Sequence, residues 1–393
     1  MKSIQEKLNG LPELSKTQRK FMSELFSTLL ALRGKANYLN MSRYSSYSEK
    51  TFRRHAQQDF SFETLNTELS KSVLSGSSIL AGDASFIHKS GKHTYGLARF
   101  WNGSASRTER GLEVSVLALI DENRHAMVLT AKQTPILESE ESRIDFYLKQ
   151  LQDSRLYWPD GLQYGVFDGY YAKQKFVGGV CEIGLEMIGK LRQDANLRYI
   201  YQGVQKPRGR RKKYDGKVYF DDLSRFEYIG ELEKDIHCYT QTLWHVSLKR
   251  QLRVVLLHSL KKPQKPTHVL LFSTDLKLST EPIIHSYGSR FAIEFLFRDA
   301  KQHLGLEDCQ ARNQKALDFH FNSSFSVLNL AKFEALTNYD FQKPFVFSMQ
   351  SQKCLSFNEH LLDRFISKFG FDQTLIKSHP AYRELCLYGA IAS

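Results

Sequence analysis

The sequence predicts an α/β protein: a mixed sheet flanked by helices, carrying a β-rich insertion and preceded by an all-α N-terminal domain. Three observations predict it. Residues 1–72 repeat their apolar positions at helical period, residues 73–198 alternate antiparallel strands with helix, strand and helix, and residues 199–265 abandon that alternation for strand-like pieces. At 393 residues and 41% hydrophobic content the chain can bury substantial cores.

The elements follow in order. In "SKTQRKFMSELFSTLLALR" (15–33) Phe21, Met22, Leu25, Leu29 and Leu32 keep a helical phase, with Ser15 as cap and Gly34 as stop. Residues 37–58 read as two short helices around a serine-rich turn. Ser48 opens the second, which carries Lys50, Arg53 and Arg54, as in a helix-turn-helix placing its second helix in a major groove. The alternative is a basic helical cap with solvated charges. After a serine-rich linker (72–78), "SSILAGDASF", "TYGLARFW", "GLEVSVLALI" and "HAMVLTAKQT" read as strands, the last two joined by a turn at Asp121–Arg124. A helix from Ser139 to Leu151, a strand ending at Asp168 and a helix from Ala172 to Glu182 complete this part. The insertion (199–265) opens with a cationic loop, Arg208, Arg210, Arg211, Lys212 and Lys213, which backbone contact with DNA or plain solvation would explain. Residues 266–335 return to a buried strand and two helices, and 336–393 form a C-terminal region, a candidate for dimerisation.

Fifty-five Lys and Arg against 42 Asp and Glu leave +13, spread through folded-looking sequence, which favours polyanionic partners, nucleic acid before membrane. Five scattered cysteines without a CxxC pair speak against a zinc site or a disulfide framework. The polar N-terminus and the absence of a membrane-length apolar run lead us to expect a cytoplasmic protein.

Three acids occupy comparable places: Asp83 near the end of the first strand, Asp168 at the end of a later one, and Glu294 on a helix after the insertion. Neighbouring strands can bring such ends together. Carboxylate oxygens suit Mg²⁺ or Mn²⁺, and two such ions clamp the attacking and leaving oxygens of a phosphoryl displacement. Each acid alone also reads as a turn residue or a solvated ion-pair partner. In "SYGSRFAIEFLFRDAKQHLG" (286–305), read as one helix, Tyr287, Glu294 and Lys301 lie about 60°, 40° and 20° from Arg290. This polar stripe faces outward, with Phe295, Ala292 and Leu296 on the core side. His88 and His93 read as surface residues.

The spacing Tyr287-x2-Arg290-x3-Glu294-x6-Lys301 resembles the Y-R-E-K signature of the DDE transposases of the bacterial insertion-sequence family called IS-four. "LAGDASFIHKSG", "GVFDGYYA", the β insertion and the basic N-terminal helices are similar to that family's layout. The resemblance covers residues 78–309 well, the N-terminal helices loosely and the last fifty residues hardly. It implies an RNase H-like catalytic core with Asp83, Asp168 and Glu294 as the triad holding two Mg²⁺ or Mn²⁺ ions. Tyr287, Arg290 and Lys301 would hold phosphates of the element's end. It further implies a bacterial, nucleoid-associated homodimer acting on inverted-repeat and target double-stranded DNA. Family members cut the ends and join the freed 3′ hydroxyl to target DNA, several through a hairpin with a base stacked on an aromatic residue. Trp244 is the candidate platform here, although a tryptophan among strands is more often core. Relatives often carry Trp after the arginine, where this chain has Phe291. Two other readings fit the same residues: a non-catalytic DNA-binding descendant of a transposase, and a structure-specific nuclease of the same fold.

Overall fold

The computed structural model describes residues 2–137, 140–261, 264, 267–337 and 346–391. Five helices lead: α1 (Lys2–Asn9), α2 (Lys16–Ala31), α3 (Tyr38–Tyr44), α4 (Glu49–His55) and α5 (Phe62–Val73). Ser15 caps α2 through the Gln18 amide, and the Gln18 side chain returns the bond to the Ser15 N–H. Ser48 caps α4 as expected.

Strands β1 (Ser78–His88), β2 (Ala98–Asn102), β3 (Arg107–Asp121) and β4 (Ala126–Gln133) follow, then α6 (Arg143–Asp153), β5 (Tyr164–Phe167), α7 (Gln174–Glu182) and β6 (Glu186–Leu191). The expected helix start at Ser139 lies outside the described residues. Next come β7 (Leu197–Ile200), β8 (Tyr214–Lys217), β9 (Glu227–Glu233), β10 (Ile236–His245), β11 (Arg250–Ser259) and β12 (Thr267–Ser273). The chain closes with α8 (Thr280–Ser289), α9 (Ala292–His303), α10 (Gln314–Thr337), α11 (Met349–Phe369), α12 (Gln373–Ser378) and α13 (Pro380–Leu387).

The described strands form one mixed sheet in the order β2-β3-β1-β5-β6-β12-β11-β10-β7-β8, with β4 also on β3 and β9 also on β10. β1, β5 and β6 run parallel and the other pairs antiparallel. The strands of residues 199–265 therefore extend the main sheet through β12 instead of folding apart from it; the expected boundary at 265/266 lies outside the described residues. Nor do the N-terminal helices hold a core of their own. Leu25, Phe52 and Leu65 belong to one buried cluster with Val116 and Val128 of the sheet and with Phe321 and Phe325 of α10.

Strand alternation sets the two faces. Ala81, Ile87, Leu112, Val114 and Val116 point to the side covered by α9, α10 and the N-terminal helices. Leu80, Leu117 and Phe167 point to the side covered by α6 and α7. On the first side α8 packs through Ile283 on Val166, Ile188 and Leu271. The joint between α8 and α9 thus crosses above the line where β1 meets β5.

Candidate active site

Asp83 lies mid-strand, not near the end of β1 as the sequence suggested, because β1 stays paired with β3 up to His88. Its pairing with β5 nevertheless stops one residue earlier, at Gly82 opposite Phe167. Asp83 and Asp168 are therefore the first residues past matched positions of adjacent parallel strands. Gly82 makes the register possible: a Cβ there would come within 2.6 Å of the Phe167 ring. Asp168 leaves β5 and accepts from the Tyr170 N–H at 2.8 Å, opening a short 3₁₀ turn.

Residues 286–305 are two helices. Arg290 and Phe291 form the joint between α8 and α9, both in right-handed helical backbone, and Arg290 and Glu294 still meet across it four residues apart. Arg290 is buried, 5% exposed, instead of facing outward, and Phe295 is 55% exposed instead of packing in the core. Ile293, Leu296 and Phe297 take the buried positions. Arg290 donates from Nη1 to Asp83 at 3.4 Å and from Nη2 to Glu294 at 3.2 Å, while its Nε has no acceptor among the described residues. Tyr287 lies 5.7 Å from the guanidinium and Phe291 4.8 Å, so two rings cover a cation that bridges two acids.

The electrostatics tie in the third acid. Burial, then the neighbouring charge of Asp168, then more weakly that of Glu294, push the Asp83 carboxyl up to about 6, against the opposing pull of Arg290 and the Ala84 N–H. Tyr171, which sequence reasoning missed, is buried beside Asp83 and Asp168. Its hydroxyl is held well above its ordinary value by burial and by those charges. The "DGYY" run offered only a turn signal for it.

Lys301 donates to the Phe86 carbonyl at 2.6 Å and pairs with Glu307 at 3.5 Å, and burial lowers its ammonium pKa. It clamps α9 to β1 in this state. The other sequence-derived residues stand apart. Lys50, Arg53 and Arg54 are exposed on α4 above buried Phe52 and His55. Trp244 lies five strands from β1, half-buried, with its ring 5.6 Å from Tyr214. The loop with Arg208, Arg210, Arg211, Lys212 and Lys213 joins β7 to β8, seven strands from β1. Lys212 pairs with Asp215 at 2.8 Å, whereas the other four form no ion pair with a described residue.

The donor chemistry fits a divalent cation. Three carboxylates interact closely enough to raise the proton affinity of one, and a guanidinium now bridges Asp83 and Glu294. Among the described residues no three His, Cys, Asp or Glu side chains are already gathered at ligating distance.

Fold and site together define a class: a mixed α/β protein with two aspartates past the matched ends of parallel strands and a glutamate on a helix above them. Residues 9–228, more than half of the chain, match the DDE superfamily endonuclease family, and the chain belongs to that family. Residues 161–338 also match an archaeal ISC1217-like transposase family. No curated protein matches. Among solved structures, a piggyBac transposase synaptic complex with hairpin DNA is 10% identical at a TM-score of 0.40, over 100% of this chain and 82% of that one. Aquifex aeolicus Argonaute is 10% identical at a TM-score of 0.23, over 54% of this chain and 24% of that one. Among the described residues no helix is long and apolar enough to cross a membrane.

Proposed function

We propose that the chain is a DNA transposase of the IS-four type with an RNase H-like core, cutting the ends of its element and transferring the freed 3′ hydroxyls to target DNA. The observation that carries this reading is the matched-register placement of Asp83 and Asp168, with Glu294 joined to Asp83 through Arg290. Asp83, Asp168 and Glu294 would hold two Mg²⁺ or Mn²⁺ ions, whose chemistry is to activate the attacking oxygen and neutralise the leaving one. Arg290 meanwhile keeps the acids together against their own repulsion. Once released, its fork suits a bidentate phosphate contact, with Tyr287 shaping the wall beside it. Lys301 is a point charge that can exchange its carbonyl for a backbone phosphate. The exposed cations of α4 and of the 208–213 loop would hold duplex DNA away from the cut, in a homodimer on paired ends.

The test is cleavage of an oligonucleotide carrying the element's own inverted repeat in Mg²⁺. Asp168→Asn should cut at least about 1,000-fold more slowly, as expected when a metal carboxylate is removed, and should bind the DNA as the parent does. A variant that cuts as fast as the parent removes the triad assignment.

A further inference from the structure

The β2–β3 hairpin carries an arrangement that the active site does not use. In its register Arg99 stands directly opposite Arg110, and Trp101 directly opposite Thr108. All four side chains share one face and all are exposed, Trp101 at 58%. Like charges directly opposite across strands destabilise a sheet, and neither arginine forms an ion pair with a described residue. A large exposed indole beside them likewise does nothing for the core. The arginine pair costs the free chain stability and the indole adds none, which points to a ligand that uses both.

The register also says where this face lies. Asp83 pairs with Val116, and positions 116, 114, 112, 110 and 108 of β3 alternate onto one side. The Arg99–Trp101–Arg110 cluster therefore lies on the same side of the sheet as Asp83, six residues along β3, or roughly 20 Å at ~3.4 Å per residue, beyond the helices that cover Leu112 and Val114. That is the rise of about six stacked nucleotides at ~3.4 Å per nucleotide of one strand, and of fewer when the strand is extended.

We propose that this hairpin is an arm that holds an unpaired stretch of DNA strand leading from the active site, with Trp101 as the base-stacking platform and Arg99 and Arg110 as its phosphate contacts. Two long cationic side chains rooted about 5 Å apart can converge on one phosphate or splay to its neighbours on the same strand. The bases of a duplex have both faces covered by their neighbours. An exposed ring between cations offers a stacking partner only to a base that has left the stack. The arm is held rigid by its other face: Phe100 is buried, with Arg143 over its ring at 4.6 Å, and Arg143 donates to the Arg99 carbonyl at 2.8 Å.

The inference rests on the DNA-processing reading above, and binding in the presence of a chelator separates the two. Full-length parent, Trp101→Ala, Trp101→Phe and Arg99→Ala/Arg110→Ala would be titrated by anisotropy against a blunt duplex and a duplex ending in about six unpaired nucleotides. Trp101→Ala should weaken binding to the unpaired end roughly 5- to 100-fold and leave the blunt duplex unchanged, and Trp101→Phe should restore most of the loss. The double arginine variant should lower the slope of log affinity against log salt by ~1.4 on the unpaired end, about 0.7 for each phosphate no longer neutralised. Its melting temperature should move little, because the repulsion removed is set against the lost Arg99 Nη2 bond to the Thr108 carbonyl. Binding of the unpaired end by these variants as tight as by the parent overturns the inference, as does an equal loss on both substrates. If the parent binds neither DNA, the DNA reading itself falls first.

Discussion

The acid cluster beneath Arg290 and the arginine pair on the β2–β3 hairpin both crowd like charges, yet they are built differently. The acids sit where burial raises Asp83 to about 6, and the chain supplies its own cation, Arg290, at 5% exposure. The hairpin arginines sit in water and have no acid against them among the described residues. The difference follows from the dielectric. Repulsion in a partly buried site is several times stronger than at the surface, so only the first needs an internal counter-ion for the free protein to fold. Each arrangement is complementary to the opposite kind of partner, cations in one case and a polyanion in the other.

Removing the internal cation should break the acidic end of the comparison and give the largest effect. Arg290→Ala leaves Asp83, Asp168 and Glu294 uncompensated and empties the space between Tyr287 and Phe291. It should cost about 2–4 kcal/mol of unfolding free energy in metal-free protein, read by urea denaturation. Adding Mg²⁺ should return part of that loss to the variant. A variant as stable as the parent without metal would mean that Arg290 does not hold the acids together.

The next effect is a pH dependence. Folded Asp83 holds its proton more tightly than the unfolded chain, whose aspartates titrate near 3.9, so this group adds stability at low pH. That contribution is lost as pH climbs from about 4 through about 6. Asp83→Asn should accordingly make metal-free protein more stable at pH 8 by on the order of 1–2 kcal/mol and change little at pH 4. Denaturant midpoints at the two pH values decide it. A gain of the same size at both would place the repulsion elsewhere.

Sequence periodicity made much of this architecture legible, and its failures are local. Ser15 and Ser48 cap their helices because side-chain caps depend on neighbours three residues away, which the sequence displays. The two aspartates were legible because apolar runs stop at strand ends. Asp83 nonetheless lies inside a strand, since its pairing with β3 depends on a partner more than thirty residues distant. The stripe on residues 286–305 failed for a different reason. A helical wheel gives positions around the axis but not which arc the sheet covers; Ile293, Leu296, Phe297 and Ala300 take the covered arc, with Arg290 at its edge and Phe295 outside it. Helix α5 had no assignment of its own within the helical 1–72 region, although Phe62, Leu65 and Leu69 are buried along it. The facing of Arg99 and Arg110 depends on hairpin register, which a four-residue connection with Ser106 at φ 49° does not announce.

The smallest effect on stability sharpens the other end of the comparison. The loop joining β7 to β8 advertises its charge in sequence more loudly than the hairpin does, but it is not crowded. Lys212 is balanced by Asp215 and lies 4.4 Å from the Tyr201 ring centroid, and the remaining cations are exposed. Replacing Arg208, Arg210, Arg211 and Lys213 together by alanine should therefore shift unfolding free energy by no more than about 0.5 kcal/mol. The same change should reduce the salt slope of duplex binding by about 0.9 for each phosphate left without its cation, with no distinction between blunt and unpaired ends. The hairpin variants should do the reverse, discriminating between the two ends. A loop variant whose slope on duplex DNA equals the parent's would mean that these cations are merely solvated, and would leave α4 and the hairpin as the candidates for DNA contact.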